Sequence, residues 1–234
     1  AYAQNLENKP DSILTYSANG TRHEKETYQY DSVGHIAVKI VDNYTWKTRS
    51  KYTYQNSDKG LPLTVIQYQW NNDEKKWEEY WKTVSKYDAE GNETEITNYA
   101  KNGKNWDTRI TYENQYNKKK NEILSVSYHA NGRINVESRT ESKYNTKKKQ
   151  LTSKTVYNKK QNKWKEVEYF HYKYDSDNRL KEEEYHEKKE EDNIMLFRYL
   201  YEYDEKGRIK KKTSYLSPAE RKEWNAFNYT LYYY

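Results

Sequence analysis

Residues able to do chemistry are plentiful in this chain, but their spacing does not organise them for catalysis. The five histidines, His23, His35, His129, His171 and His186, match no metal-ligand spacing. Carboxylates number 36, yet a glycosidase pair needs one raised pKa inside a closed pocket. No Gly-x-Ser-x-Gly elbow or phosphate loop occurs. The absence of cysteine removes disulfides, thiolate metal sites and cysteine nucleophiles. The sequence therefore reads as a non-enzyme with no catalytic residues, no metal and no cofactor.

Two charged patterns invite a binding role and have simpler explanations. Asp175-Ser176-Asp177-Asn178 has the look of a calcium loop, but Glu182 is not at the distance a bidentate closing acid requires. Asx-turn capping accounts for these residues better. Lysine runs at Lys118-Lys119-Lys120, Lys147-Lys148-Lys149 and Lys210-Lys211-Lys212 lie beside aromatics, as a single-stranded nucleic-acid groove would have them. Equally dense acidic runs, Glu182-Glu183-Glu184 and Glu190-Glu191-Asp192, oppose them, and lysines on turn tips guard sheet edges. Nucleic acid is the outsider.

Aromatic residues are the richer signal. Tyr numbers 28 and Trp 7, and each such side chain can bury roughly 150–250 Å². Trp70 and Trp77, Tyr99 and Trp106, and Tyr157 and Trp164 are each seven residues apart across a turn. That spacing predicts cross-strand aromatic pairs that clamp a hairpin. Trp70, Trp77, Tyr80 and Trp81 concentrate rings in one hairpin and form the candidate patch for a protein or glycan ligand.

The elements that must carry these residues are set by a repeat. Tyr30-Asp31-Ser32-Val33-Gly34-His35-Ile36 recurs at Tyr87, Tyr174 and Tyr203, with degenerate copies opening at Tyr54, Tyr116 and Tyr144. The intervals are 24, 33, 29, 28, 30 and 29 residues, so the period is near 29. A second set of turns, including Asn19-Gly20, Asn102-Gly103 and Asn131-Gly132, falls between them. The set also takes in the stretches 187–193 and 217–223. Segments between turns alternate with period two; Trp106, Thr108, Ile110, Tyr112 and Tyr116 share one parity, as do Trp164, Phe170, Tyr172 and Tyr174.

The expected fold is all-β: an antiparallel meander of about sixteen strands, forming an elongated, twisted sheet. Because open sheets rarely exceed ~10 strands without curling, it is expected to be partly single-layered or rolled into an open half-barrel. Residues 1–15 read as an N-terminal arm and 16–234 as a single hairpin-repeat domain. The strand ending Leu231-Tyr232-Tyr233-Tyr234 carries no closing charge, so it either docks back onto the sheet or pairs with another chain. Leu, Ile, Val and Phe together make up only 33 of 234 residues, which implies a thin core filled by tyrosine. A net charge of +6 is too small to drive disorder, and no run of about 18 apolar residues offers a membrane-spanning helix.

The Tyr-Asp-x-x-Gly-Arg-Ile phrase at Tyr203 to Ile209 resembles the YD repeats of Rhs-type secreted proteins, whose hairpins coil into a β-shell. The Tyr/Trp rhythm also resembles tyrosine-rich repeat domains of unknown function in exported proteins of Gram-negative anaerobes. These resemblances imply an exported, non-catalytic protein: periplasmic, outer-membrane-associated or extracellular. Ala1-Tyr2-Ala3-Gln4, with its small-x-small start, agrees with export. The expected function is binding of a protein or glycan partner at the cell envelope through an aromatic face; the alternative is a structural spacer.

Overall fold

A computed structural model describes residues 9–118, 121–188, 194–218 and 223–234. Among them the chain forms sixteen strands and no helix. The first eight are β1 (Ser12–Ser17), β2 (Arg22–Tyr30), β3 (Ile36–Asn43), β4 (Thr48–Asn56), β5 (Pro62–Asn71), β6 (Lys76–Tyr87), β7 (Glu93–Asn102) and β8 (Asn105–Asn117). The remainder are β9 (Glu122–His129), β10 (Ile134–Asn145), β11 (Gln150–Lys160), β12 (Lys163–Tyr174), β13 (Leu180–Lys188), β14 (Ile194–Tyr203), β15 (Ile209–Pro218) and β16 (Asn225–Tyr233). Each pairs antiparallel with its neighbours in sequence, and β1 pairs with β16, so the meander closes into a barrel.

Closure corrects one expectation and decides another. The sheet is a closed barrel, neither elongated nor an open half-barrel, and of the two alternatives for the C-terminal strand it docks back onto the sheet, so it is not an edge available to another chain. β16 lies between β15 and β1, with Thr15 opposite Thr230 and their hydroxyls 3.2 Å apart. Ser12 to Thr15, within the stretch read as an arm, belong to β1. Residues 1–4 and the acidic run 190–192 lie outside the described residues, as do parts of the turn stretches 187–193 and 217–223.

The repeat builds the barrel through its turns. Asp31 Oδ1 accepts the N–H groups of Val33 at 3.0 Å and His35 at 2.8 Å, and Asp88, Asp175 and Asp204 cap their turns in the same way. The phrase tyrosine then ties the open end of its hairpin. Hydroxyls of Tyr30, Tyr87, Tyr116, Tyr174, Tyr203 and Tyr234 donate to the carbonyls of Pro10, Pro62, Glu93, Leu151, Leu180 and Ile209, at 2.6–3.1 Å. Each acceptor stands at or beside the start of the preceding strand.

In the second copy the phrase opens at Asn56, not at Tyr54. Ser57 takes the aspartate's place, with Gly60 N bonded to Ser57 O at 2.8 Å. Asn56 Nδ2 makes the equivalent clasp to Ile36 O at 2.9 Å.

Register fixes the two faces, but bulges shift it. An extra residue interrupts the pairing in β6, β8 and β12, at Tyr80, Arg109 and Val167. Each bulge turns the following residues to the other face. Trp106 and Ile110 therefore lie on opposite faces despite their equal parity, as do Trp164 and Phe170. Exposed mid-strand residues such as Gln29, Gln55, Lys86, Gln115, Lys143, Lys173 and Glu202 share one face, which is the outside. The other face, lined by Tyr28, Tyr52, Tyr172, Tyr199 and Tyr201, is the lumen.

Outside, cations lie against rings. Lys51 sits over Tyr68 at 4.3 Å and Trp77 at 5.2 Å, Lys82 over Tyr99 and Trp106, and Arg139 over Tyr157 and Trp164. Of the expected clamp pairs, Trp70 and Trp77 meet directly, at 5.2 Å and 69°. Tyr99 instead stands opposite Thr108, and Trp106 opposite Lys101. The cation of a neighbouring strand bridges the two rings, each such contact contributing about 0.5–1 kcal/mol at exposed sites.

No hydrophobic residue among the described ones is fully buried; the buried residues are small or charged, such as Ser127, Ser153, Ser214 and Glu182. Glu182 is 7% exposed and receives Lys173 at 2.7 Å and Arg198 at 2.9 Å.

Two outcomes are expected. Because the chain has no cysteine, a Thr15→Cys/Thr230→Cys variant should form a single intramolecular cross-link on oxidation, seen as a mobility shift on non-reducing gels. Dimeric cross-links would contradict closure. Burial pushes the Glu182 carboxyl up, but hydrogen bonds from Arg198 and Lys173 outweigh this and hold it at about 2. An unfolded glutamate titrates near 4.3, so the stability this group supplies is complete above roughly pH 4.3 and is lost as pH falls towards 2. Glu182→Gln should cost about 1.5–3 kcal/mol at neutral pH and flatten the pH dependence of urea midpoints in that window.

Candidate ligand-binding site

The lumen has two unlike walls. From β12 through β16 to β4 it is aromatic. Phe170 stacks on Tyr185 at 4.7 Å, Tyr185 on Phe197 at 5.6 Å, and Tyr28 on Tyr30 at 6.4 Å. Tyr52, Tyr54, Tyr199, Tyr201 and Tyr232 continue this wall. From β6 to β11 short polar side chains, Thr83, Ser85, Asn98, Asn114, Ser125, Ser127, Ser138, Thr140 and Asn158, share the inward face with Trp81, Ile96, Ile110, Tyr112, Val136 and Val156. Thr83 Oγ1 donates to Asn98 Oδ1 at 2.8 Å.

Charges on the aromatic wall are paired through phenols. Tyr201 donates to Glu183 at 3.1 Å, and Tyr28 donates to Glu26, which also faces Lys39 at 3.6 Å. Lys212 lies over Tyr199 at 4.0 Å and over Tyr201 at 5.5 Å. Burial lowers its pKa while Glu183 pulls in the opposite direction. Burial and nearby carboxylates raise the phenols of Tyr28 and Tyr201, and push those of Tyr172 and Tyr185 to about 12. At neutral pH these groups stay protonated and can donate hydrogen bonds.

At the end carrying the Tyr-Asp turns, the aromatic wall opens into a cavity of 460 Å³. Tyr28, Tyr30 and Tyr54 supply rings, Pro10, Ile36 and Pro62 apolar contact, and Lys9, His35 and Asn56 polar groups. This volume falls in the roughly 300–1,000 Å³ range of small-molecule sites.

The four aromatics expected as one patch are divided by the sheet. Trp70 and Trp77 lie outside, where Lys51 and Arg49 cover Trp77. Trp81 pairs with Gln67 and Ala100 on the lumen face, and Tyr80, 55% exposed, occupies the bulge. Trp70 and Trp77 stay together outside at 5.2 Å, and Tyr80 and Trp81 lie 6.5 Å apart. The lysine runs are dispersed too: Lys211 faces out towards Glu202 at 3.6 Å and Lys212 faces in. Lys119 and Lys120 lie outside the described residues. Among those described, no cluster of three acids or histidines could hold a metal ion.

The inner wall went unrecognised in the linear pattern, although its signal was there. Tyr28-x-Tyr30, Tyr52-x-Tyr54, Phe170-x-Tyr172-x-Tyr174, Phe197-x-Tyr199-x-Tyr201-x-Tyr203 and Tyr232-x-Tyr234 put rings on alternate residues. Period two sends all the rings of a strand to one face.

No family model and no curated protein sequence matches the chain. Solved structures do. A porin-like protein from Bacteroides vulgatus superposes with TM-score 0.48 at 8% identity, over 96% of this chain and 98% of its own. The Tc holotoxin pore of Photorhabdus luminescens gives TM-score 0.23 at 12% identity, over 91% of this chain and 15% of that one. A porin-like protein from Bacteroides uniformis superposes with TM-score 0.53 at 10% identity, covering 96% of both chains. With this last protein the chain shares its barrel fold over nearly the full length.

Proposed function

We propose that the chain is an exported, non-catalytic binding barrel of the Gram-negative cell envelope, taking a glycan against its inner aromatic wall. One observation carries this reading: a ring-rich side of the lumen is joined to a side on which short hydroxyl and amide side chains are interspersed with Trp81, Tyr112 and aliphatic residues. Sugars need both surfaces, since ring faces cover their C–H patches while hydroxyls and amides satisfy their O–H groups. The phenols of Tyr28 and Tyr201 give their O–H groups to Glu26 and Glu183, which leaves the phenol and carboxylate oxygens as acceptors for sugar hydroxyls.

The porin-like fold raises the alternative of a lipid-embedded channel, and the outer face argues against it. Lys51, Lys82, Arg139 and Arg198 stand near the middle of β4, β6, β10 and β14, and point outwards. On the lipid face of an outer-membrane barrel, each Arg or Lys at the midplane costs about 2–4 kcal/mol. Water on both sides of the sheet suits these residues. A spacer without a ligand is the remaining reading.

Titration with soluble envelope-derived oligosaccharides, followed by tryptophan fluorescence and calorimetry, tests the proposal. Binding should weaken at least tenfold in Tyr201→Ala/Tyr232→Ala, with circular dichroism unchanged. Absence of binding to any oligosaccharide would favour the spacer, and ion conductance on addition to planar bilayers would restore the channel.

A further inference from the structure

The cavity at the turn end exists because the repeat is broken there. In the copies at Tyr174 and Tyr203 the residue after the turn is an arginine that fills the corresponding space. Arg179 lies over Tyr203 at 4.7 Å and pairs with Asp175 at 2.8 Å. Arg208 lies over Tyr234 at 4.2 Å and pairs with Asp204 at 2.7 Å. In the first copy that position holds His35, and the tyrosine it would cover is Asn56. Two shorter side chains thus stand where an arginine and a phenol stack elsewhere.

The vacated space is shaped on every side. His35 Nδ1 turns to Asp31 at 3.3 Å, and its ring rests on Gly60, where an added Cβ would come within 2.4 Å of His35 Cδ2. Tyr28, Tyr30 and Tyr54 form the aromatic side. Across the mouth lies Lys9, whose ammonium donates to the Gly34 carbonyl and sits 5.6 Å from the centre of the Tyr30 ring. No carboxylate among the described residues pairs with Lys9. Of the nearby acids, Asp31 is engaged by its turn and His35, and Glu26 by Tyr28 and Lys39; Asp11 bears on Tyr30 at longer range and forms no ion pair with Lys9. A cation with no ion-paired carboxylate, set over rings in a half-buried cavity, can take an anion.

We propose that this cavity binds an acidic sugar residue, its ring against Tyr28, Tyr30 and Tyr54 and its carboxylate at Lys9. The inference rests on the glycan reading and narrows it to uronic-acid-like end groups held between the first two repeats.

Methyl glucuronide and methyl glucoside, titrated separately by calorimetry, are the probes. The glucuronide should bind at least tenfold more tightly, and Lys9→Gln should remove that preference. The decisive variant is His35→Arg/Asn56→Tyr, which rebuilds the arginine–tyrosine stack of the copies at Tyr174 and Tyr203; it should fold at least as stably as the parent and lose glucuronide binding. Equal binding of the two probes, or glucuronide binding that survives in the refilled variant, overturns the proposal. If neither monosaccharide binds while longer oligosaccharides still do, the cavity assignment fails and the inner-wall reading stands. If only the glucuronide binds, and only with the cavity open, the cavity assignment holds and the lumen wall is not the site.

Discussion

The pairing of β1 with β16 is the constraint on which the rest of the structure depends. A sheet with no buried hydrophobic residue among those described has little apolar mass with which to cover an open edge. Unpaired edges would expose a row of N–H and C=O groups to solvent and to other chains. Joining the first strand to the last satisfies both edges at once, and every strand then shares its stabilisation with two neighbours. Packing follows the same economy. Small residues such as Ser127 and Ser214 are buried between larger neighbours on the lumen face, Tyr112 and Val136 beside the first and Tyr199 beside the second. Stability is spread over many partial burials, supplemented by phenol-to-carbonyl clasps that tie each hairpin at its open end.

The strand count, the antiparallel meander and most turns were legible in the sequence because turn chemistry is local. An aspartate that caps its own backbone does so whatever the distant parts of the chain are doing. Asn178, at φ 65, takes the left-handed position that Gly34, Gly91 and Gly207 hold in their phrases. Closure was not legible, since an open and a closed meander share the same local pattern. The faces were only half legible. The bulge residues Tyr80, Arg109 and Val167 have no side-chain type in common, so parity counted along the chain fails beyond each of them. Trp70, Trp77 and Trp81 were read as one patch because they share a hairpin, whereas the bulge at Tyr80 puts the first two outside and the third inside.

Where the repeat is regular, it uses up its own recognition groups. Arg179 and Arg208 are committed to an aspartate and a tyrosine, and outside the barrel Lys51, Lys82 and Arg139 are committed to rings. Such contacts are shared among many strands, so each can be modest. Departures from the phrase have the opposite effect. His35 and Asn56 keep the turn and the clasp, because the backbone hydrogen bond from the His35 N–H and the Asn56 amide still form them, but they give back the volume of an arginine and a phenol. Fold and site therefore draw on the same phrase: its turns and clasps hold the barrel, and its alteration at His35 and Asn56 opens the cavity.

The division between the faces follows from where charge is tolerated. Outward-facing cations keep contact with water while their stems cover rings, so they can ring the barrel at mid-height. Inside, burial lowers the pKa of Lys212 and raises those of Tyr28 and Tyr201, which disfavours further charge and favours neutral donors. A lumen built mainly from phenols, hydroxyls and amides presents nearly the same hydrogen-bonding surface across the physiological pH range. Lys9 adds a cation at the mouth, held by a carbonyl and a ring face. A ligand with a neutral polyhydroxylated body and one anionic terminus matches both halves of that arrangement.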